Sequence, residues 1–507
     1  PCSLHSSGDA LPLPCDRLGG LSRRARRGAD SGRAQSRLNP TSVARIIRPA
    51  DEGQVCSLVS EAARLGGSVS VCGGRHAMGG QQFAEASTLL DMRAMDRVLH
   101  FDRDRGLIEV EAGIQWPSLI EYLHAAQEDD ASPWGIRQKQ TGVDLVTLGG
   151  SLAANAHGRG LRFPPIVSDV ESFVLVGSDG EAVRCSRREN ADLFTLAIGG
   201  YGLFGVLTRV TLRLVRRTKV RRTVMVIPVR DLMDRIRERM DLGAVYGDCQ
   251  FSVDLEGTAD SHPGVFSSYA EVDQDTPLPD RQAHLSPKDW AGLYQLVRTD
   301  KKRAFQVYSM YYLGTSGQIY WSDSHQLSKV LEGYADAVNV AHGTEMITEL
   351  YVRRPDLVAF LGAARQDALQ QGVDLTFGTI RLIEPDEETF LPWATDRWAC
   401  IVCNLHVVHT EEGIARSIRD FRRLIDRVLE FGGRYFLTYH RWATREQVEA
   451  AYPRFVDFLG EKSRRDPAGV FATTIGSRMP CSRIELTRSV SESGAIRPRG
   501  WSGLGCS

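Results

Sequence analysis

The sequence of 507 residues predicts an α+β fold, because its two parts differ in the pattern of their strands and helices. The N-terminal part alternates short strands with amphipathic helices. From about residue 216 the strands become longer and richer in aromatic side chains, which predicts one large sheet with helices on one face. Two glycine-rich loops interrupt the first part, and they carry most of the functional information.

The individual elements follow from hydrophobic spacing and from the residues that start or stop helices. Val55, Val59 and Ala62 share one face of a helix that ends at Gly66, and Pro117 suits the first position of the next helix. Further helices are predicted over 191–196, 355–370 and 414–431. Strands are predicted over 44–48, 68–71, 107–113, 206–212, 224–229, 306–313 and 348–352.

Composition and charge are those of a soluble globular chain. The hydrophobic share is 42%, the charged share is 25% and the net charge is −1, so no excess of positive charge points to nucleic acid. No apolar run approaches the ~18 residues of a membrane helix, so no integral membrane segment is predicted. The ten cysteines do not resemble a disulfide framework, and we interpret the single CxxC, Cys400 and Cys403, as strand packing. We therefore expect a reducing, cytoplasmic location.

Two glycine loops, each with a histidine, are the main candidates for a binding site. Glycines let a backbone approach a ligand closely and present its N–H groups to negative oxygens. The first loop comprises Gly73, Gly74, Arg75, His76, Ala77, Met78 and Gly79. The second loop supplies Thr147, Gly149, Gly150, Ser151, Asn155, His157 and Gly158. A third segment, Gly200–Gly205, satisfies G-x-G-x-x-G, but a strand beginning at Val206 follows it instead of a helix, so it is not a Rossmann fingerprint.

In this order the three segments resemble the FAD-binding half of the vanillyl-alcohol-oxidase superfamily, whose FAD domain is called PCMH-type. The resemblance implies a two-subdomain FAD-binding domain, contacted by both loops and by Gly205, Val206 and Phe436. It also implies a substrate ("cap") domain with a large antiparallel sheet and flanking helices. We expect disordered ends at 1–38 and 479–507, the FAD-binding domain at 39–215, the cap at 216–435 and a return to the FAD domain at 436–478.

His76 stands where many members of this family bond covalently to the flavin ring. Other members carry a non-bonding residue there, so two alternatives remain: a covalent bond, or a hydrogen-bonding histidine beside a noncovalent flavin. No cysteine lies between Cys72 and Cys185, so a second covalent bond from the second loop is not expected.

The first catalytic candidate is an arginine in the C-terminal half. Thr379-Ile380-Arg381 resembles the Glu-x-Arg segment of sugar-lactone and alditol oxidases, whose arginine lies at the active site. Arg381 matches, but Thr379 replaces the glutamate, which puts that substrate specificity in doubt. The alternative for Arg381 is an ion pair with Glu384 or Asp386 at a sheet edge.

Further candidates resemble the decaprenylphosphoryl-ribose oxidases. Tyr439 stands where a lysine of those enzymes faces the flavin, and His440 is its neighbour. Either could act as the base or as a hydrogen-bonding group, and strand alternation would admit only one of them to the site. Glu349 and Tyr351 share one strand face and match pocket-lining positions of those enzymes, with an outward-facing pair as the alternative.

Together these residues imply an FAD-dependent oxidase or dehydrogenase that transfers a hydride from a hydroxyl carbon to flavin N5. The substrate would be a small sugar-like molecule, a lactone or an alditol, and oxygen or another acceptor would take the electrons. Two alternatives stay open: the same fold acting on a 2-hydroxy acid or reducing a sterol-type double bond, and a flavin-binding protein without turnover. No metal site is expected, since His406 and His409 would lie on opposite faces of a strand.

Overall fold

The structure, a computed structural model, describes residues 36–256, 262–328 and 343–473. The two segments predicted to be disordered lie outside these ranges, apart from residues 36–38. Those three residues pack on the first glycine loop, where the Ser36 hydroxyl donates a hydrogen bond to the Met78 carbonyl at 2.6 Å.

A small parallel sheet carries the first glycine loop. Its strands lie in the order β1-β3-β2, with β1 Arg45–Ile47, β2 Val69–Cys72 and β3 Thr88–Asp91. The helix α1 (Glu52–Leu65) packs beside it and ends at Gly66, whose φ of 65° is in the left-handed region. At the other edge of β2, the Val69 N–H donates to the Val470 carbonyl at 2.7 Å, so a segment near the C-terminus joins this sheet.

A five-stranded antiparallel sheet forms the other part of the N-terminal half. Its order is β4-β5-β9-β7-β8, with β4 Val98–Asp102, β5 Leu107–Glu111, β7 Val170–Val176, β8 Ala182–Ser186 and β9 Val206–Arg213. Three helices share its hydrophobic core, namely α2 Trp116–Ala125, α3 Leu148–Ala153 and α4 Ala191–Ala197. A separate antiparallel pair joins β6 Trp134–Gly135 to β10 Val215–Arg216.

The second half is built on an eight-stranded antiparallel sheet. Its order is β14-β11-β13-β12-β16-β17-β15-β18. The strands are β11 Lys219–Pro228, β12 Ala244–Phe251, β13 Pro263–Val272, β14 Ile319–Trp321, β15 Gly343–Arg353, β16 Leu375–Ile383, β17 Trp398–Val408 and β18 Arg434–Tyr435. The helices are α5 Leu232–Asp241, α6 Pro287–Thr299, α7 Lys301–Gly314, α8 Leu357–Gln371, α9 Glu411–Glu430, α10 Arg445–Ala451 and α11 Phe455–Arg465.

One predicted strand is wrong, because residues 306–313 lie in helix α7. The aromatic and β-branched run favoured a strand. Asp300 instead caps the helix by accepting from the Arg303 N–H. Tyr308 and Tyr312, four residues apart, meet on one helix face with ring centroids 4.2 Å apart. Packing of that helix face therefore outweighs the local preference of these residues for a strand.

The two faces of the large sheet have different surroundings. Leu350 and Ile401 belong to the core that the sheet shares with α8 and α9. Glu349, Tyr351 and Cys400, which alternate with them, point to the opposite face and are completely buried. Within the described ranges, no helix combines the length and the apolar character needed to cross a membrane.

Candidate active site

A cavity of about 1280 Å³, counted to its open mouth, lies where the glycine loops meet the segment after β18. Eleven of the predicted cofactor residues line it: Gly73, Gly74, Arg75, His76, Ala77, Thr147, Gly149, Gly150, Ser151, Gly205 and Phe436. The wall is completed by Tyr201, Thr438 and Tyr439, among others. The loops therefore converge on one space, as a dinucleotide would require.

The glycines are needed because the two loops touch. A Cβ on Gly73 would lie 2.0 Å from the Thr147 hydroxyl oxygen, and one on Gly74 would lie 2.1 Å from the Leu145 carbonyl oxygen. No side chain fits at either position without moving backbone or a neighbouring side chain. The bare backbones leave N–H groups at the cavity wall, which is the cradle that the pyrophosphate of FAD needs.

Backbone strain also concentrates around the cavity. Arg75 (φ 61°) and Tyr201 (φ 51°) both line it, and both adopt the left-handed conformation that side chains other than glycine rarely take. Such strain costs about 1–3 kcal/mol per residue and persists where the surroundings impose it, most often at functional sites.

His76 faces the cavity from the first loop, as the sequence predicted for a residue beside the flavin. Burial lowers its pKa, and a hydrogen bond to the Leu145 carbonyl opposes that shift. A neutral imidazole is the form that could attack the flavin methyl group, so both alternatives for the linkage remain compatible with this position.

Six predicted cofactor residues do not line the cavity. Met78 and Val206 are buried in hydrophobic cores, and Gly79 lies in a turn. Asn155 instead donates to the Asp386 carboxylate at 2.8 Å, and the Gly158 N–H donates to Gln138 at 3.3 Å. His157 contacts Glu349 of the large sheet. The end of the second loop thus bonds to the cap, which the order of residues in the motif could not reveal.

The Glu349 carboxylate is the centre of a buried polar cluster. Its Oε1 accepts from His157, from the Tyr351 hydroxyl at 2.9 Å and from the Cys400 thiol at 3.1 Å. Burial alone would raise its pKa, but the charges of His157 and Arg381 outweigh burial and hold it well below its usual range. The predicted inward-facing pair of Glu349 and Tyr351 is therefore present, and the outward-facing alternative is wrong.

Arg381 lies in the interior of the large sheet, two strands from Glu349. It is opposite Cys400, which is itself opposite Tyr351. The ion-pair alternative does not apply, because Glu384 binds Arg354 and Asp386 binds Asn155. Within the described ranges, the buried Arg381 Nε has no hydrogen-bond partner, and neither does the Thr379 hydroxyl. Neither residue is among those that line the cavity, and both are buried on the sheet face that carries Glu349.

Only Tyr439 of this pair is at the cavity, but the predicted strand alternation is not the reason, because both residues lie in an irregular segment after β18. Tyr439 lines the cavity, and burial together with the facing Glu349 charge holds its pKa well above the ordinary value. His440 instead lies among the rings of Phe421, Tyr435 and Trp442. Burial lowers its pKa to about 3, so it is not placed to serve as the base.

Two residues at the site escaped sequence analysis. Gln140 lines the cavity and donates from Nε2 to the Tyr439 oxygen at 3.2 Å. Lys139 is fully buried, and its ammonium donates to the Gln140 carbonyl at 2.7 Å and pairs with Asp144 at 2.8 Å. Neither belongs to a motif, and a lysine and a glutamine in a loop are normally solvent-exposed.

The only trio of potential metal ligands in the described ranges belongs to the same cluster. The ligand atoms of His157, Glu349 and Cys400 lie within 4.8 Å of one another. Hydrogen bonds to Glu349 already account for the positions of the other two. Cys403 packs in the core as predicted for the CxxC, but the thiol of Cys400 serves the polar cluster instead.

The cavity and the comparisons with known proteins together define an FAD-dependent oxidoreductase. Residues 43–186 match the family described as an FAD binding domain. Over 439 residues the chain is 22% identical to L-gulono-1,4-lactone dehydrogenase of Mycobacterium tuberculosis (strain ATCC 25618 / H37Rv), covering 84% of this chain and 93% of that protein.

Two further matches cover smaller shares of the chain. The chain is 27% identical over 190 residues to L-gulonolactone oxidase of Mus musculus, covering 37% of this chain and 41% of that protein. It is 33% identical over 131 residues to mitochondrial L-galactono-1,4-lactone dehydrogenase of Arabidopsis thaliana, covering 26% of this chain and 20% of that protein. The predicted PCMH-type FAD domain, the α+β fold and the FAD-dependent oxidoreductase assignment are confirmed.

Proposed function

We propose that the protein oxidises a hydroxyl carbon of a sugar lactone, an alditol or a similar sugar-like molecule. When bound, FAD supplies the acceptor for the hydride. The observation that carries this proposal is the set of buried polar atoms without partners on the sheet face beside the cavity. Arg381 Nε, Thr379 Oγ1 and Glu349 Oε2 all belong to that set. A polyhydroxylated substrate offers hydroxyl groups that satisfy such donors and acceptors.

Arg381, Tyr439 and Glu349 differ in charge and position, so each would serve a different part of the reaction. Arg381 would stabilise negative charge that develops on the substrate oxygen or on the reduced flavin. Tyr439 lines the cavity and would contact the reacting hydroxyl. Glu349 supplies a carboxylate two strands away from Thr379, which occupies the position of the glutamate in the Glu-x-Arg pattern. The register places Thr379 opposite Val402 and Val402 opposite Glu349.

Anaerobic reduction of the bound flavin tests the proposal. The purified protein is mixed with L-gulono-1,4-lactone, L-galactono-1,4-lactone, alditols and 2-hydroxy acids, and the absorbance near 450 nm is followed. A dithionite-reduced sample is mixed with an unsaturated sterol, whose reduction would restore that absorbance. We expect bleaching by a lactone or an alditol. Bleaching by a hydroxy acid alone, or reoxidation of the reduced flavin by the sterol, would favour the second function. Neither bleaching nor reoxidation would favour a flavin-binding protein without turnover.

The electron acceptor and the compartment are part of the same proposal. Oxygen or another acceptor would reoxidise the flavin, and hydrogen peroxide release in air distinguishes the two. A cytoplasmic location is supported by the free thiols of all six described cysteines: Cys56, Cys72, Cys185, Cys249, Cys400 and Cys403. Fractionation of cells that express the full chain tests this point.

A further inference from the structure

Tyr439 lines the flavin cavity, and its hydroxyl interacts with the Glu349 side chain. Gln140 fixes its direction, because an amide nitrogen can only donate and the Tyr439 oxygen therefore accepts the 3.2 Å bond. The hydrogen of Tyr439 is then directed elsewhere. Glu349 is the acceptor that faces this phenol, and burial of Tyr439 beside it keeps the phenol protonated.

The two oxygens of Glu349 have different roles. Oε1 already accepts from His157, Tyr351 and Cys400. Oε2 is buried and has no partner among the described residues. It is the oxygen left to accept a further proton, on a carboxylate that its neighbours hold in place.

The hydrogen-bond partners of His157 show which of its ring nitrogens carry a hydrogen. Nδ1 lies 3.0 Å from the Gly158 carbonyl oxygen, which can only accept, so Nδ1 carries a hydrogen. Nε2 faces Glu349 Oε1. Because Oε1 also accepts from Tyr351 and Cys400, the proton of this contact is on Nε2. His157 comes from the FAD-domain loop and Glu349 from the cap sheet, so this contact joins the two parts of the site.

We infer that Tyr439 and Glu349 form a proton relay for the substrate hydroxyl, with Gln140 and His157 as positioning residues at its two ends. The inference rests on the proposed function. As the C–H bond breaks and its electron pair leaves with the hydride for bound FAD, the substrate O–H proton passes to the Tyr439 oxygen. The former Tyr439 proton passes to the Glu349 carboxylate, and the substrate carbon is left as a carbonyl.

The other groups around Glu349 shape its proton affinity without supplying a competing path. Arg381 on β16 favours the carboxylate form, as His157 does. Tyr351 and Cys400 donate to Oε1, and burial raises the pKa of both well above their ordinary values, so they stay protonated. Lys139 is neutralised by Asp144. Loss of His157 should therefore raise the pKa of Glu349.

Two substitutions at His157 distinguish a residue that positions Glu349 from one that only stabilises the fold. His157→Phe removes the donor, and His157→Gln keeps an N–H that can reach Glu349. We expect His157→Phe to slow substrate-driven flavin reduction about 100-fold and to move the acid limb of its pH profile up by about 1–3 units. His157→Gln should recover most of the rate, while FAD content and dithionite reduction stay as in the unsubstituted protein.

A matched control is His124→Phe, which breaks a 3.2 Å histidine–carboxylate contact with Asp323 outside the cavity lining. It should leave the pH profile unchanged. Equal losses in His157→Phe and His157→Gln, with an unmoved pH profile, would show that His157 only supports the fold and would overturn the relay.

Nitrogen-15 NMR of the histidine-labelled holoenzyme gives a readout independent of turnover. His157 signals are assigned by their loss in His157→Gln. In Glu349→Gln the Nε2 signal should move to that of a ring nitrogen without a bonded proton, and an unmoved signal contradicts the pairing. If no alcohol reduces the flavin, the proposed function fails, and the NMR result then judges the His157–Glu349 contact by itself.

Discussion

Single glycines at the loop contact decide whether the cavity can form. In Gly74→Ala the new methyl group would meet the Leu145 carbonyl oxygen at 2.1 Å, so the loops must separate. We predict at least a tenfold loss of FAD affinity, measured as the ratio of 450 nm to 280 nm absorbance after purification and as FAD titration. Gly292→Ala in α6 is the matched control, since nothing lies within 4 Å of its added Cβ. That change should be neutral or stabilise by up to about 1 kcal/mol.

Arg381 is the residue whose loss should affect chemistry most directly. Arg381→Met keeps the length of the side chain but removes the buried charge. We predict that it lowers substrate-driven flavin reduction about 100-fold or more while FAD stays bound. Arg397→Met, which removes an exposed partner of Glu384, is the control and should reduce at the normal rate. Normal reduction in Arg381→Met would remove this residue from the chemistry.

His440 predicts a dependence of stability on pH. Its pKa falls from 6.5 to about 3 in the folded protein, so only the unfolded chain gains a proton between these values. Stability is unaffected above pH 6.5 and is lost below it by about 1.4 kcal/mol per pH unit. Between pH 7 and pH 5 the unsubstituted protein should lose about 2 kcal/mol more than His440→Phe in urea titrations. Parallel losses would contradict this, and flavin reduction should survive the substitution.

At the scale of elements, helix α9 holds the segment that carries Tyr439. Phe421 of this helix is completely buried and contacts the rings of His440 (4.5 Å between centroids) and Trp442 (5.0 Å). Phe421→Ala should cost about 3–5 kcal/mol of unfolding free energy, because it leaves a cavity under that segment. Arg419→Ala, on the exposed side of the same helix, should change it by less than about 0.5 kcal/mol. Denaturant unfolding with fluorescence detection compares the two.

Local sequence predicted the elements whose determinants are local. Gly66 ends α1, and the loops with Gly73 and Gly149 converge as their motifs indicated. Helix α7 was missed because its tyrosines favour strands when spacing is ignored. The roles of His157 and Gln140 could not be found from spacing, because their partners are 192 and 299 residues away in the chain. Contacts across that separation exist only after the sheet and the loops have packed together.

For the whole molecule, the cavity is lined by residues from Val71 to Tyr439, so cofactor binding there should stabilise the fold as a unit. If His76 carries a covalent bond, acid-precipitated protein stays yellow and its melting temperature does not depend on added FAD. His76→Ala should then release the flavin into solution. In that variant, FAD at about 100 times its dissociation constant should add about 2.7 kcal/mol of stability. A colourless precipitate from the unsubstituted protein would favour the noncovalent alternative.

The pairing of β2 with residues 470–472 has a consequence for biosynthesis. The Val69 N–H donates to the Val470 carbonyl at 2.7 Å, and the Ala472 N–H donates to the Val69 carbonyl at 2.9 Å. Strand β2 therefore pairs with a segment that is synthesised about 400 residues later. A nascent chain halted on the ribosome before residue 470 should leave that strand edge unpaired and exposed to chaperones. Cofactor capture should then coincide with the last stage of synthesis, after the cap has already emerged.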